Sequence, residues 1–297
     1  MPVFYQPINL SVRQRLVQSI EHRQRKHDIA QRTHANSKNP CVLRQVGELE
    51  AGHSAQRYHA PMSESSTTPR TWSEPQSWLF VAPDLAAAGG WEDWLTKGET
   101  ELEKLAVAAH RVLGEGRGAA RSVVFANGAA GVWRVNRHGG LLGGLQGDRY
   151  LSPDRLRQEV ELSEALRAEK VRTPRVLLAL AMKDGNNWRQ HLVTQEVEGA
   201  ETVFSARSNP AALEAAGKLM HQVFELGLWA TDLHPDNLLW RAEDQSCWLI
   251  DLAGAKRFPH PLDAGQRAAR VDRFFRYYRK HAGEEPEGAD ALRESLR

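Results

Sequence analysis

The segment "WATDLHPDNLLW", from Trp229 to Trp240, places Asp232, His234, Asp236 and Asn237 between two apolar ends. A further acid, Asp251, closes the apolar run "CWLID" fourteen residues beyond Asn237. A carboxylate can orient a hydroxyl and accept its proton, and carboxylate or amide oxygens are what a hard cation prefers as ligands. The bland alternative is an Asx turn at Asp232, with Asp251 merely ending a strand. That explains each residue alone but not why Asp232, Asn237 and Asp251 stand in register with an apolar strand between them.

Such a loop needs elements to hold it. "SWLFVAPDL" is a short apolar stretch, and an amphipathic helix begins near Trp91. "GEGRGAARSVVFANGAAGVWRV" gives a glycine cluster and two β-prone runs around an Asn127–Gly128 turn, hence a flexible loop and a hairpin. Helical patterning follows in "SPDRLRQEVELSEALRAEKV", with Ser152 the expected N-cap and Pro153 the first helical residue. "TPRVLLALAMKDGNNWRQHLVTQEVEGA" reads as two strands around "KDGNN", and "NPAALEAAGKLMHQVFELGL" as a helix stopped by Gly227. The polar loop and the strand "SCWLID" come next. Glycine loop, hairpin, helix, hairpin, helix, polar loop and strand predict an α+β, two-lobed fold.

Composition sets the limits. The 297 residues with 41% hydrophobic content suffice for one large domain or two lobes. The longest apolar run, Val176 to Met182, is too short to span a membrane, and the N-terminus lacks the order of a secretory signal. Cys41 and Cys247 are far apart, which supports neither a disulfide framework nor a zinc site, so a cytoplasmic protein is the default expectation. Through Pro61 there are nine Lys or Arg against four Asp or Glu, so the basic excess is N-terminal. Residues 1–75 are therefore expected to be a basic, solvated extension rather than a nucleic-acid arm or surface helix, and translation beginning at Met62 is an alternative. The folded domain is expected over 76–297, with an N-lobe of about 76–198 and a C-lobe of about 199–297.

"DLHPDN" resembles the DxxxxN catalytic loop of protein-kinase-like phosphotransferases, and "LIDLAG" resembles their metal-binding DFG position. "RVNRHGGLLGGLQGDRYL" is more telling, because it is similar to a pattern of 3-deoxy-D-manno-octulosonic acid (Kdo) kinases in the lipopolysaccharide kinase group, and ordinary protein kinases have no such segment. The later "TP" at Thr173 and Pro174 and the "GRG" at Gly116 to Gly118 also keep that spacing, so the resemblance covers roughly 77–280.

The resemblance implies roles. Asp232 would orient the attacking hydroxyl and accept its proton, while Asn237 and Asp251 would hold Mg²⁺ on the phosphates of ATP. Arg134 falls where relatives place the phosphate-binding lysine of the third strand. Its acidic partner would be Glu159, with Glu161 the alternative, and Gly116 and Gly118 would let backbone N–H groups approach phosphate oxygens. His234 could lie near the transferred phosphate or simply make loop hydrogen bonds. Two positions depart from the pattern: Ala230 where the family usually has histidine, and Leu252 where kinases commonly keep phenylalanine.

The acceptor implied is a Kdo residue on a lipid A precursor, phosphorylated at the cytoplasmic side of the inner membrane, with Arg137, the Gly139–Gly140 turn and Arg149 near its carboxylate. The alternatives are a phosphotransferase acting on another small molecule or protein, and a pseudokinase binding module. In "RAARVDRFFRYYRK", Arg267, Arg270, Arg273, Arg276, Arg279 and Lys280 could form a stripe against an anionic membrane, or the solvated face of a helix whose aromatics pack inward. No nucleic-acid partner is expected.

Overall fold

β6 (Val176–Asp184) and β7 (Asn187–Gln195) form the central hairpin of an antiparallel sheet, and the residues between them explain its tight turn. Only Gly185 and Asn186 separate the strands, and Gly185 has φ 60°, a backbone that glycine adopts without a Cβ clash. Around this hairpin lie β1 (Arg70–Glu74), β2 (Ser77–Val81), β3 (Val112–Leu113), β4 (Ala120–Val124) and β5 (Ala130–Val135), in the order β1-β2-β6-β7-β5-β4-β3. A computed structural model describes residues 68–109, 112–113, 120–137 and 147–296 of the chain. Gly116, Gly118, the Gly139–Gly140 turn, Met62 and most of the N-terminal extension lie outside the described residues. The first sheet strand pairs Arg70 through Glu74 with β2, so ordered structure starts ahead of the expected boundary at 76.

The sheet is covered on both faces, which is why its inner strands read as continuous apolar runs rather than alternating ones. Leu79 and Val81 of β2 face Leu102 and Ala106 of α2 (Trp94–Ala109), which follows the short helix α1 (Pro83–Ala86) and a 3₁₀ turn at Trp91–Asp93. Trp78 and Phe80 face the other way, onto Leu156 and Val160 of α3 (Asp154–Ala168). That helix begins one residue later than expected. Pro153 occupies the cap position, and Ser152 Oγ accepts the Asp154 N–H at 3.3 Å.

The second lobe begins with β8 (Ala200–Thr202) and centres on α4 (Pro210–Glu225). Asn209 caps α4 by accepting the Ala211 N–H, and Pro210 stands at its first position, where a missing N–H costs nothing. Ala212, Ala216, Leu219, Val223 and Phe224 share its buried face. Gly227 ends the helix at φ 70°, and a Cβ there would lie 2.4 Å from the His260 carbonyl oxygen, so both backbone and space require glycine. The chain continues through β9 (Leu228–Trp229), the polar loop with a 3₁₀ turn at Pro235–Asn237, β10 (Leu238–Arg241), β11 (Ser246–Leu249), β12 (Lys256–Arg257), α5 (Ala264–His281) and α6 (Ala289–Ser295). The two-lobed α+β architecture matches the expected order of elements.

Inside the sheet, His191 on β7 is fully buried beside Trp133, and neither ring nitrogen has a hydrogen-bond partner among the described residues. Burial, with Arg189 nearby, pushes its pKa down to about 4. The unfolded chain therefore takes up this proton first as pH falls. Stability should be constant above about pH 7, fall between pH 6.5 and 4, and lose about 2 kcal/mol from this group between pH 7 and 5. Urea unfolding at these pH values checks the slope, and His191→Leu should remove it whatever that change does to absolute stability.

Candidate active site

The cleft between the lobes is built from the sheet side first. Arg134 on β5 donates to Asn136 Oδ1 at 2.6 Å and forms an ion pair with Glu159 of α3. Glu159 is 4% exposed, and burial pushes its carboxyl upward while Arg134 opposes that shift. Burial likewise works against the Arg134 charge, but Glu159 and Asp251 outweigh it and raise its pKa. Asn136 Nδ2 reaches Glu159 Oε2 at 3.4 Å and Gln190 Oε1 at 3.3 Å, and Gln190 donates to the Ser152 carbonyl at 2.9 Å. Alternation along β5 puts Val132, Arg134 and Asn136 on one face, as expected from the sequence, and the partner of Arg134 is Glu159; Glu161 is exposed.

The other side is the polar loop. Asn237 Nδ2 donates to the Asp232 carbonyl at 2.9 Å, and the Ile250 N–H donates to the Asn237 carbonyl at 3.0 Å, which ties the loop to the end of β11. Asp251 comes next. It has φ 59°, an uncommon conformation for a residue with a Cβ, and its Oδ1 accepts the Ala253 N–H at 3.2 Å. The same Oδ1 lies 3.4 Å from the Arg134 guanidinium, so the two lobes meet across this ion pair.

Between them is a cavity of about 240 Å³ whose lining includes Val132, Arg134, Glu159, Asn237, Leu239 and Asp251. Apolar walls with charge at one end suit a flat heterocycle carrying phosphates. Asn237 and Asp251 offer oxygen ligands to a hard cation. Among the described residues no group of three or more His, Cys, Asp or Glu could hold a metal, so Mg²⁺ here would draw its other ligands from phosphates and water.

Asp232 is not among the residues that line this cavity. Its Oδ1 is paired with Arg273 of α5, and His234 Nε2 stands 3.7 Å from its Oδ2, too long for a hydrogen bond. His234 and Arg273 together hold the Asp232 carboxyl well below the usual carboxylate range, against the opposing effect of partial burial. His234 stacks on Tyr277 with centroids 4.6 Å apart, Tyr277 donates to Asp236 Oδ2, and Thr202 donates to Asp236 Oδ1 at 2.9 Å.

The sequence reading missed these α5 contacts. Arg267 pairs with Glu225, Arg270 donates to the Thr231 carbonyl at 2.8 Å and lies over the Trp229 ring, Arg276 pairs with Asp272, and Arg279 pairs with Asp272 and Glu285. Five of the six cations proposed for a membrane stripe thus have partners within the fold, while Phe274, Phe275 and Tyr278 are buried. The available signal was the i, i+3, i+7 spacing of Arg273, Arg276 and Lys280, which marks one helix face without saying what it meets. Ala230 and Leu252, the two departures, are both buried in the second lobe's core.

Comparison with known proteins agrees with the resemblance. The model of the "Lipopolysaccharide kinase (Kdo/WaaP) family" matches residues 104–272. A 3-deoxy-D-manno-octulosonic acid kinase of Stenotrophomonas maltophilia (strain R551-3) is 31% identical over half of this chain and 63% of its own length. One from Vibrio vulnificus (strain CMCP6) is 30% identical over 50% of the chain and 64% of its own. The chain thus spans less than two thirds of these relatives. A solved structure of WaaP in complex with acyl carrier protein aligns over 70% of this chain and 89% of its own, at 17% identity and a TM-score of 0.40.

Glu159→Gln should lower the unfolding free energy by up to about 3–5 kcal/mol, the range for stripping one partner from a buried pair. Glu161→Gln, on the exposed side of the same helix, should stay within about 0.5 kcal/mol. Chemical denaturation of both variants distinguishes the buried partner from its neighbour.

Proposed function

The chain belongs to the lipopolysaccharide kinase (Kdo/WaaP) family, and from that premise we propose that it transfers the γ-phosphate of ATP to a hydroxyl of a Kdo residue on a lipid A precursor. The observation that carries the reading is the convergence of Arg134, Asp251 and Asn237 on one cavity, with Asp232 joined to Asn237 across the loop. Arg134, fixed by Glu159, would bind the nucleotide phosphates, and Asn237 and Asp251 would hold Mg²⁺. The metal, when bound, would supply positive charge to offset that of the phosphates. Asp232 would orient the acceptor hydroxyl and take its proton as the oxygen bonds to phosphorus and the bond to the leaving ADP breaks. Gly116 and Gly118, outside the described residues, would also bind the nucleotide phosphates in this reading.

A lipid-borne acceptor would bring the enzyme to the cytoplasmic face of the inner membrane as a peripheral protein. Among the described residues no helix is long and apolar enough to cross a membrane. The domain division is proposed as a basic N-terminal extension followed by the two-lobed kinase domain.

An acceptor screen with radiolabelled ATP tests the function: label should appear on the Kdo-lipid and not on protein or on lipid A precursor lacking Kdo. Asp232→Ala should reduce turnover about 10²- to 10⁴-fold with nucleotide binding nearly intact, whereas Asp251→Ala should also weaken Mg-nucleotide binding. Equal, small losses in both variants by steady-state kinetics would leave Asp232 and Asp251 as turn and strand-end residues.

A further inference from the structure

A second recess, about 230 Å³, has Asp232 and His234 of the polar loop in its wall and shares no lining residue with the cavity beside Arg134. Its walls are Asp232, His234, Arg273, Arg276, Tyr277, Lys280 and His281. Three of these carry fixed positive charge, and all three come from one face of α5. The opposing carboxylate inside the recess is Asp232 itself, with Asp272 engaging Arg276 from the helix surface. Arg273 is only partly satisfied: its terminal nitrogen meets Asp232, while its Nε is shielded from solvent and has no acceptor among the described residues. His234 Nδ1 is likewise shielded and unpartnered.

We infer that this recess is an anion subsite for the acceptor, and that a carboxylate or phosphate group of the acceptor takes Arg273 over from Asp232. The inference rests on the phosphoryl-transfer reading and deepens it by naming the chemical class of acceptor. A carboxylate whose oxygen is occupied by a guanidinium is a poor proton acceptor. The pairing seen here keeps Asp232 engaged while no acceptor is bound. An incoming oxyanion can accept two parallel bonds from Arg273 and further bonds from Arg276 and Lys280, replacing the contact that Asp232 supplied. Asp232 is then free to engage the acceptor hydroxyl, whose proton it receives while the nucleoside triphosphate gives up its terminal phosphoryl group. Selection for acidic acceptors and protection of the nucleotide against water follow from one contact.

The test is calorimetric titration of the full chain, and of an Arg276→Ala/Lys280→Ala variant, with free Kdo, with carboxyl-reduced Kdo and with inorganic phosphate. Kdo should bind the unaltered chain about 10- to 100-fold more tightly than the reduced sugar, as expected for one or two charge-assisted bonds, and the variant should lose that preference. Phosphate should displace Kdo if the recess reads oxyanions in general, and fail to do so if it reads carboxylates alone; either result fits a subsite of this chemistry. Equal binding of Kdo and its reduced form, or an unchanged preference in the variant, overturns the subsite whether or not phosphate transfer occurs. Carboxylate-dependent binding without transfer of label would instead overturn the functional reading alone. Arg273→Gln supplies a kinetic readout. The Michaelis constant for the acidic acceptor should rise about tenfold or more while acceptor-independent ATP hydrolysis also rises. An unchanged Michaelis constant, or hydrolysis that falls with overall turnover, would mark Arg273 as a structural brace and end the case for release of Asp232.

Discussion

Arg134 and Glu159 form a buried ion pair at the junction of sheet, helix and cleft, and much of the site depends on how that pair is satisfied. Removing such charges from water is costly, and pairing alone seldom recovers the loss. Here the cost is distributed. Asn136 bonds both partners, Gln190 braces Asn136, and Gln190 is fixed in turn by the Ser152 carbonyl at the start of α3. The network therefore sets the distance between β5 and α3 and aims the guanidinium outward, where Asp251 of the other lobe stands 3.4 Å away. An apolar pair at positions 134 and 159 could pack the interface, but it could not present a cation to the cleft.

Much of this was legible because it depends on local pattern. Strand alternation put Arg134 and Asn136 on one face, the Asn127–Gly128 and Gly185 turns fixed two hairpins, and Gly227 marked the end of α4. The loop residues Asp232 and Asn237 and the strand-end Asp251 could be grouped from spacing alone, since a single short excursion through β10 and β11 returns the chain to the same place. What sequence could not supply was a partner from a distant element. Gln190 lies 54 residues from Asn136, and its place in the network follows from β7 pairing beside β5. His191, next along the same strand, gives no sign in sequence of being polar, buried and unpartnered. The start of α3 is shifted by one residue: Pro153 takes the cap position without a side-chain bond, and Ser152 Oγ accepts the Asp154 N–H from one position further out.

The helix α5 shows the same limit in its sharpest form. Its cations and aromatics alternate in a way that suits an interfacial helix as well as a packed one, since periodicity defines a face but not the surface opposite it. In the fold the aromatics take the inward side. Phe274, Phe275 and Tyr278 enter the second lobe's core, which turns Arg270, Arg273 and Tyr277 toward the polar loop.

That orientation bears on the two departures from the family pattern. Ala230 has no side chain with which to brace the backbone ahead of Asp232, yet the Ala230 and Thr231 carbonyls both accept from Arg270, at 3.3 and 2.8 Å, and Arg270 is itself stacked over Trp229 at 3.8 Å. Leu252 fills its place in the core by apolar packing, while Thr231 Oγ1 donates to the Gly254 carbonyl at 2.8 Å and links the two loops directly. The backbone around Asp232 is thus held by hydrogen bonds that neither departing side chain makes. Because Arg270 and Arg273 both come from α5, the helix that braces the loop is also the one that lines the cationic recess, and the position of Asp232 and the charge facing it are set by the same element.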